Sequence, residues 1–140
     1  MKLQSYCWVF AALAASPGVL EAQDSLATID PRVSAVVTGG HWSTEGKSGF
    51  YRVVLRTRGE VPSDLSIEWL SDPARGQGPA VVQVAKVSDL SGGRLERPQI
   101  TGYLNGWRVW IQQADPKTPS GTLTRAVDLG PPGNFKVKPR

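Results

Sequence analysis

Apolar and polar residues alternate singly over several stretches of this 140-residue chain, and Gly, Pro, Asn and Asp bound those stretches. Single alternation puts every second side chain on one face of an extended strand, so each stretch reads as a strand with one buried face. The pattern predicts strands near Val33–Thr38, Phe50–Arg58, Leu65–Ser71, Ala80–Val87, Gln99–Leu104, Trp107–Gln112 and Leu123–Leu129, with a short one at Phe135–Val137. After the N-terminal segment, no window sustains the helical spacing of apolar positions. Seven or eight short strands predict an all-β fold. The expected form is a single-domain antiparallel β-sandwich, immunoglobulin-like by strand count, with a small barrel as the alternative.

Parity assigns the faces. Tyr51, Val53, Leu55 and Thr57 form one set, and Arg52, Val54, Arg56 and Arg58 the opposite one. Leu65, Ile67 and Trp69 read as inward, Ser66 and Glu68 as outward. Leu123, Val127 and Leu129 read as inward too, yet Arg125 shares their parity, which calls for a bulge or an open sheet edge. Asn105-Gly106 lies between two alternating runs and signals a hairpin, because a type I′ turn needs positive φ at both loop positions. A loop of those two residues sets Leu104 opposite Trp107 and Ile100 opposite Ile111. The core face would then carry Ile100, Gly102, Leu104, Trp107, Val109 and Ile111, with Gly102 leaving room for Trp107. The other face would carry Thr101, Tyr103, Arg108, Trp110 and Gln112.

The N-terminal segment reads as an address. Met1 to Gln4 is a short basic start, Ser5 to Ala15 is apolar, and Ser16-Pro17-Gly18 breaks the run. Residues 1–22 are therefore expected to be a signal peptide cut after Ala22, with a cut near Ala15 as the alternative. The run is short of the roughly 20 apolar residues of a spanning helix. Cys7 opens the apolar core instead of following it, unlike the cysteine of a lipoprotein. Export predicts a periplasmic or secreted protein. Cys7 is the only cysteine and would leave with the signal, so the mature domain would be disulfide-free, held by its core alone and without thiol chemistry. The expected divisions are an N-terminal arm at 23–32, the sandwich at 33–130 and a basic tail at 131–140.

Charge and motifs narrow the chemistry. The net charge is +4. In an exported protein this excess favours an envelope glycan, a phospholipid surface or an acidic protein over nucleic acid. His41, the only histidine, lies in Gly39-Gly40-His41-Trp42, which reads as a turn. No Gly-x-Ser-x-Gly elbow is present, and Gly76-Gln77-Gly78 lacks the Gly-Lys-Ser/Thr of a phosphate loop. No ligand spacing suggests a metal. The expectation is a protein that is not an enzyme and carries no cofactor. Trp69 and Trp107 are expected in the core, and Trp42 in the core or at a loop-end site.

A surface remains. If the Phe50 and Trp107 strands share a sheet, their outward residues merge into one candidate ligand-binding set of Arg52, Arg56, Arg58, Tyr103, Arg108 and Trp110. Aromatic rings stack on sugars and apolar surfaces, and arginines grip carboxylates in bidentate fashion. Against this stands a purely structural arrangement: Arg108 stacked on Tyr103, Glu68 pairing an arginine, and the tail covering Trp110. The expected function is a binding or accessory module of the bacterial cell envelope that engages a protein partner through this face or a sheet edge. A carbohydrate-binding module for acidic glycans is the alternative. A structural subunit of a homo-oligomer joined by strand edges is the second.

Overall fold

Alternation on this scale leaves the chain with two apolar sheet faces, and it buries them against each other. The computed structural model describes residues 30–90, 93–118 and 120–139. The expected signal peptide and most of the expected N-terminal arm lie outside them. The strands are β1 (Val33–Thr44), β2 (Lys47–Arg58), β3 (Val61–Ser71), β4 (Val81–Lys86), β5 (Leu95–Tyr103), β6 (Gly106–Ala114), β7 (Thr122–Leu129) and β8 (Phe135–Val137). Strands β1–β4 form one antiparallel sheet in sequence order, and β5–β8 form the other. The result is an antiparallel β-sandwich and not a closed barrel. Each strand pairs with its sequence neighbour, so both sheets are meanders. Immunoglobulin domains instead use Greek-key connections, so the sandwich expectation is met by a simpler strand order. The chain crosses between the sheets once, through a 3-10 turn at Ser88–Leu90.

Two local expectations change. Gly39-Gly40-His41 is a bulge inside β1 and not a turn: pairing with β2 shifts between Gly39 and Trp42 and then resumes. The turn comes later, at Glu45-Gly46, where both residues have positive φ (48° and 75°) as a type I′ turn requires. The β5–β6 hairpin also turns one residue early. Tyr103 pairs with Gly106 and Gly102 with Trp107, so the loop is Leu104-Asn105. Leu104 leaves the core face for solvent, 87% exposed at φ 47°. The reason is steric. The observed register sets the Trp107 indole opposite a glycine, where a Cβ on Gly102 would lie 3.8 Å from Cζ3. The expected register would have set it opposite a leucine.

Parity otherwise holds. Tyr51, Val53 and Leu55 from β2 and Leu65, Ile67 and Trp69 from β3 meet Val109, Ile111, Val127 and Leu129 from the second sheet, all buried. Arg125 stays on the inward side, paired with Ile111 in an unbroken β6–β7 register. Pairing along β7 ends where the Lys138 N–H donates to the Ala126 carbonyl at 2.9 Å, one residue short of Arg125. The Arg125 Nε is buried without a hydrogen-bond partner among the described residues.

The sandwich has two unlike ends. At one, Val87, Leu90 and Leu95 plug the core at 0–1% exposure. At the other, Trp42, Tyr51, Trp69 and Trp107 cluster. Trp69 Nε1 and the Tyr51 hydroxyl both donate to the Gly130 carbonyl, at 2.9 and 3.2 Å. Trp42 Nε1 reaches across to the Phe50 and Leu70 carbonyls, each at 3.2 Å. Position 49 must be glycine there, because a Cβ would stand 1.8 Å from the Leu70 carbonyl oxygen.

Candidate binding surfaces

The six residues expected to form one surface are divided between two. Arg52, Arg56 and Arg58 lie on β2 in the first sheet, whereas Tyr103, Arg108 and Trp110 lie on β5 and β6 in the second. The sheets pack face to face, so their outer faces point away from each other. The condition for a merged face, both strands in one sheet, is not met.

On the first sheet the arginines surround carboxylates. Arg52 Nε donates to Glu68 Oε2 at 2.6 Å, and its Nη2 contacts the same oxygen. Arg56 donates to Ser66 Oγ at 2.7 Å and lies 3.7 Å from Glu68 Oε1. The two stems cover Glu68, which is buried although its parity is outward. Arg58 pairs with Asp64 at 3.0 Å, and Lys86 reaches the same oxygen at 3.2 Å. Hydrogen bonding to Lys86, with the nearby Arg58 charge, holds the Asp64 carboxyl below its ordinary range.

On the second sheet the polarity is reversed, with the cation buried. Arg108 is 6% exposed, stacks 3.4 Å above the Tyr103 ring centroid and donates to Asp128. Lys138 reaches the other Asp128 oxygen at 3.0 Å. The Arg108 hydrogen bond, reinforced by Lys138, lowers the Asp128 pKa, and the same bond to Asp128 raises that of Arg108. Trp110 Nε1 donates to Thr101 Oγ1 at 3.0 Å, and Lys138 and Pro139 of the tail run alongside it. Arg52, Arg56, Arg58 and Arg108 thus all have carboxylate partners within the chain. A guanidinium already gripping a carboxylate has fewer donors to offer an incoming anion.

His41 stands at the rim of the aromatic end. Its Nε2 lies 3.7 Å from Asp72 Oδ2, and Ser48 Oγ donates to that same oxygen. The hydroxyl is bonded to the carboxylate and not to the imidazole, so these residues are not arranged as nucleophile and base. Among the described residues no group of three or more His, Cys, Asp or Glu converges as metal ligands. No helix among them is long and apolar enough to cross a membrane.

Sequence reasoning offered a sheet edge as a binding route without saying which strand forms it. Strand β4 pairs with β3 on one side and, among the described residues, with no strand on the other. Val81, Val82 and Val84 are 50%, 45% and 52% exposed. The other edges are interrupted or short as well. The register of β1 shifts at two bulges. That of β5 shifts between Glu96 and Gln99, across Pro98 and an Arg97 at φ 52°, and β8 has three residues. Bulges, proline and short length are the usual means of blunting a sheet edge, and β4 has Lys86 and a bulge at Val82, where pairing passes from Leu70–Val81 to Trp69–Gln83; its exposed valines set it apart. The run Val81-Val82-Gln83-Val84 was readable as a strand. Nothing in its composition marks it as an outer one.

Comparison with protein-family models, with curated proteins and with solved structures finds no match.

Proposed function

We propose that this chain is a non-enzymatic binding module that takes an extended segment of a partner protein along β4. The observation that carries this reading is the β4 edge, which no described strand covers and whose Val81, Val82 and Val84 stay about half exposed. An added strand gains main-chain hydrogen bonds from an edge and specificity from alternate side chains. With the four arginines occupied by internal carboxylates, an extended neutral or apolar segment suits this surface better than an acidic one. The apolar run from Ser5 to Ala15 supports placing the module in the periplasm or outside the cell.

The test uses a fluorescent peptide with the sequence of residues 80–87 as a probe strand, titrated into the full chain. Binding should raise its anisotropy and slow hydrogen exchange at the β4 amides. Val84→Lys puts a charge on the edge and should abolish binding while changing stability by no more than about 0.5 kcal/mol. Unchanged exchange at β4 with saturating peptide would sink the reading. Sedimentation of the chain alone separates partner capture from self-pairing of two β4 edges, since only self-pairing makes the mass rise with concentration.

A further inference from the structure

The aromatic end of the sandwich is open. A cleft of about 550 Å³ lies between the β1 bulge, the tip of the β5–β6 hairpin and the segment after β7. That volume falls within the range of small-ligand sites, roughly 300–1,000 Å³. We propose that this cleft binds a short neutral saccharide, a site separate from the β4 edge.

Three observations converge. The first is a fixed aromatic lining. Trp42 and Tyr51 are tied by hydrogen bonds to backbone carbonyls. Trp107 lies so close to Gly40 that a Cβ there would come within 2.8 Å of its Cδ2. Tyr103 lines the cleft too, and its ring is held by the Arg108 guanidinium stacked against it. Trp42 and Tyr51, each 3% exposed, form the floor, and the accessible surface is that of Tyr103, 43% exposed, and the partly buried Trp107. Such held rings offer a flat surface to the C–H face of a pyranose at little entropic cost.

The second observation is what the lining lacks. Among the described residues no Asp, Glu, Lys or Arg side chain borders the cleft, although the chain as a whole carries a net +4. An acidic sugar or a phosphorylated ligand would find no counter-charge here.

The third is a polar rim. The Asn105 carboxamide makes no hydrogen bond among the described residues and borders the cleft, as does the His41 imidazole, whose Nε2 lies 3.7 Å from Asp72 Oδ2. Each can donate through one atom and accept through another, which suits the paired hydroxyls of a sugar ring. Between them stands Leu104, almost fully in water and at positive φ. In the free protein that side chain gains little packing to offset its backbone conformation, and such residues cluster at ligand sites.

The experiment titrates the full chain with cellohexaose, N-acetylchitohexaose and maltohexaose, following the Trp107 indole N–H by NMR and the heat by calorimetry. At least one hexaose should shift the indole saturably. Tyr103→Ala should weaken that binding about fivefold to tenfold, and Asn105→Ala about fivefold. Both residues are exposed, so the variants should fold, and unchanged amide spectra away from the cleft confirm it. Trp110→Ala and Val84→Lys should leave the affinity unchanged. No response to any hexaose overturns the proposal. So does binding that Trp110→Ala removes, which would move the ligand to the outer face of the second sheet. A proline-rich peptide that shifts the indole where no hexaose does would also overturn it and give the cleft to a protein ligand. Loss of peptide binding at β4 with hexaose binding intact would separate this inference from the proposed function.

Discussion

The two ends of this sandwich solve the same problem in opposite ways. Both sheets run out of strand at each end, and the core must be sealed or left open. At the crossover end the 3-10 turn drops Leu90 into the gap, and Val87 and Leu95 complete an aliphatic plug. At the far end no turn crosses over. Four aromatic side chains fill the space, Trp42, Tyr51 and Trp69 are tied to backbone carbonyls, and a cleft remains. Aliphatic groups pack to completion because nothing on them needs a partner. Tryptophan and tyrosine bring a polar atom that must be satisfied, so they settle where the backbone is accessible and water is close. The plugged end is thus suited to stability and the aromatic end to contact with a ligand.

The contrast can be broken most directly at the plug. Leu90→Ala should cost about 2–4 kcal/mol in urea unfolding, from lost burial and the cavity left behind. A cost under about 1 kcal/mol would mean that the plugged end does not carry the core.

The next effect reads the aromatic end through pH. Burial pushes the Tyr51 hydroxyl up to about 12. The unfolded chain releases that proton near about 10, while the folded one retains it to about 12. Stability from this group is therefore complete below about pH 10 and declines as the pH rises through the folded value. The loss should reach about 2–3 kcal/mol, and Tyr51→Phe should remove this part of the alkaline slope. An identical slope in the variant would mean the hydroxyl is not sealed.

Gly40→Ala comes third. Its new methyl would meet Trp107 and the Tyr51 ring, whose Cδ2 stands 2.9 Å from that position, at a backbone φ of 67°. The expected cost is about 2 kcal/mol, with a changed near-UV signal from the aromatic cluster. The smallest effect sharpens the contrast. Asn105→Ala at the open rim should change stability by no more than about 0.5 kcal/mol, and Tyr103→Ala by about 1 kcal/mol through loss of its stack on Arg108, so that a larger loss of saccharide binding is a loss of contacts.

Much of the fold was legible because sheet parity is a local property. The inward sets on β2, β3, β6 and β7 could be assigned by counting, and the match of Gly102 with Trp107 was visible as a small residue near a large one. The hairpin register was less legible. Asn105-Gly106 satisfies the turn rule locally, yet the observed loop sits one residue earlier because the indole must avoid Leu104 and fit beside Gly40, far away in the chain. The candidate surface was the least legible part. Arg52 and Arg108 both have outward parity, and no local pattern says that their strands belong to different sheets.

Alternation of side chains, turn residues and the lack of helical periodicity determined by themselves that this is an all-β chain and which residues face its core. Those signals act within a few residues of each other. The tertiary structure alone decided that the strands form two meanders and that each arginine of the expected surface faces a carboxylate. It also decided that β4 is an open edge and that the aromatic end stays open. Each of these depends on which distant segments become neighbours, and packing of the whole core chooses that arrangement.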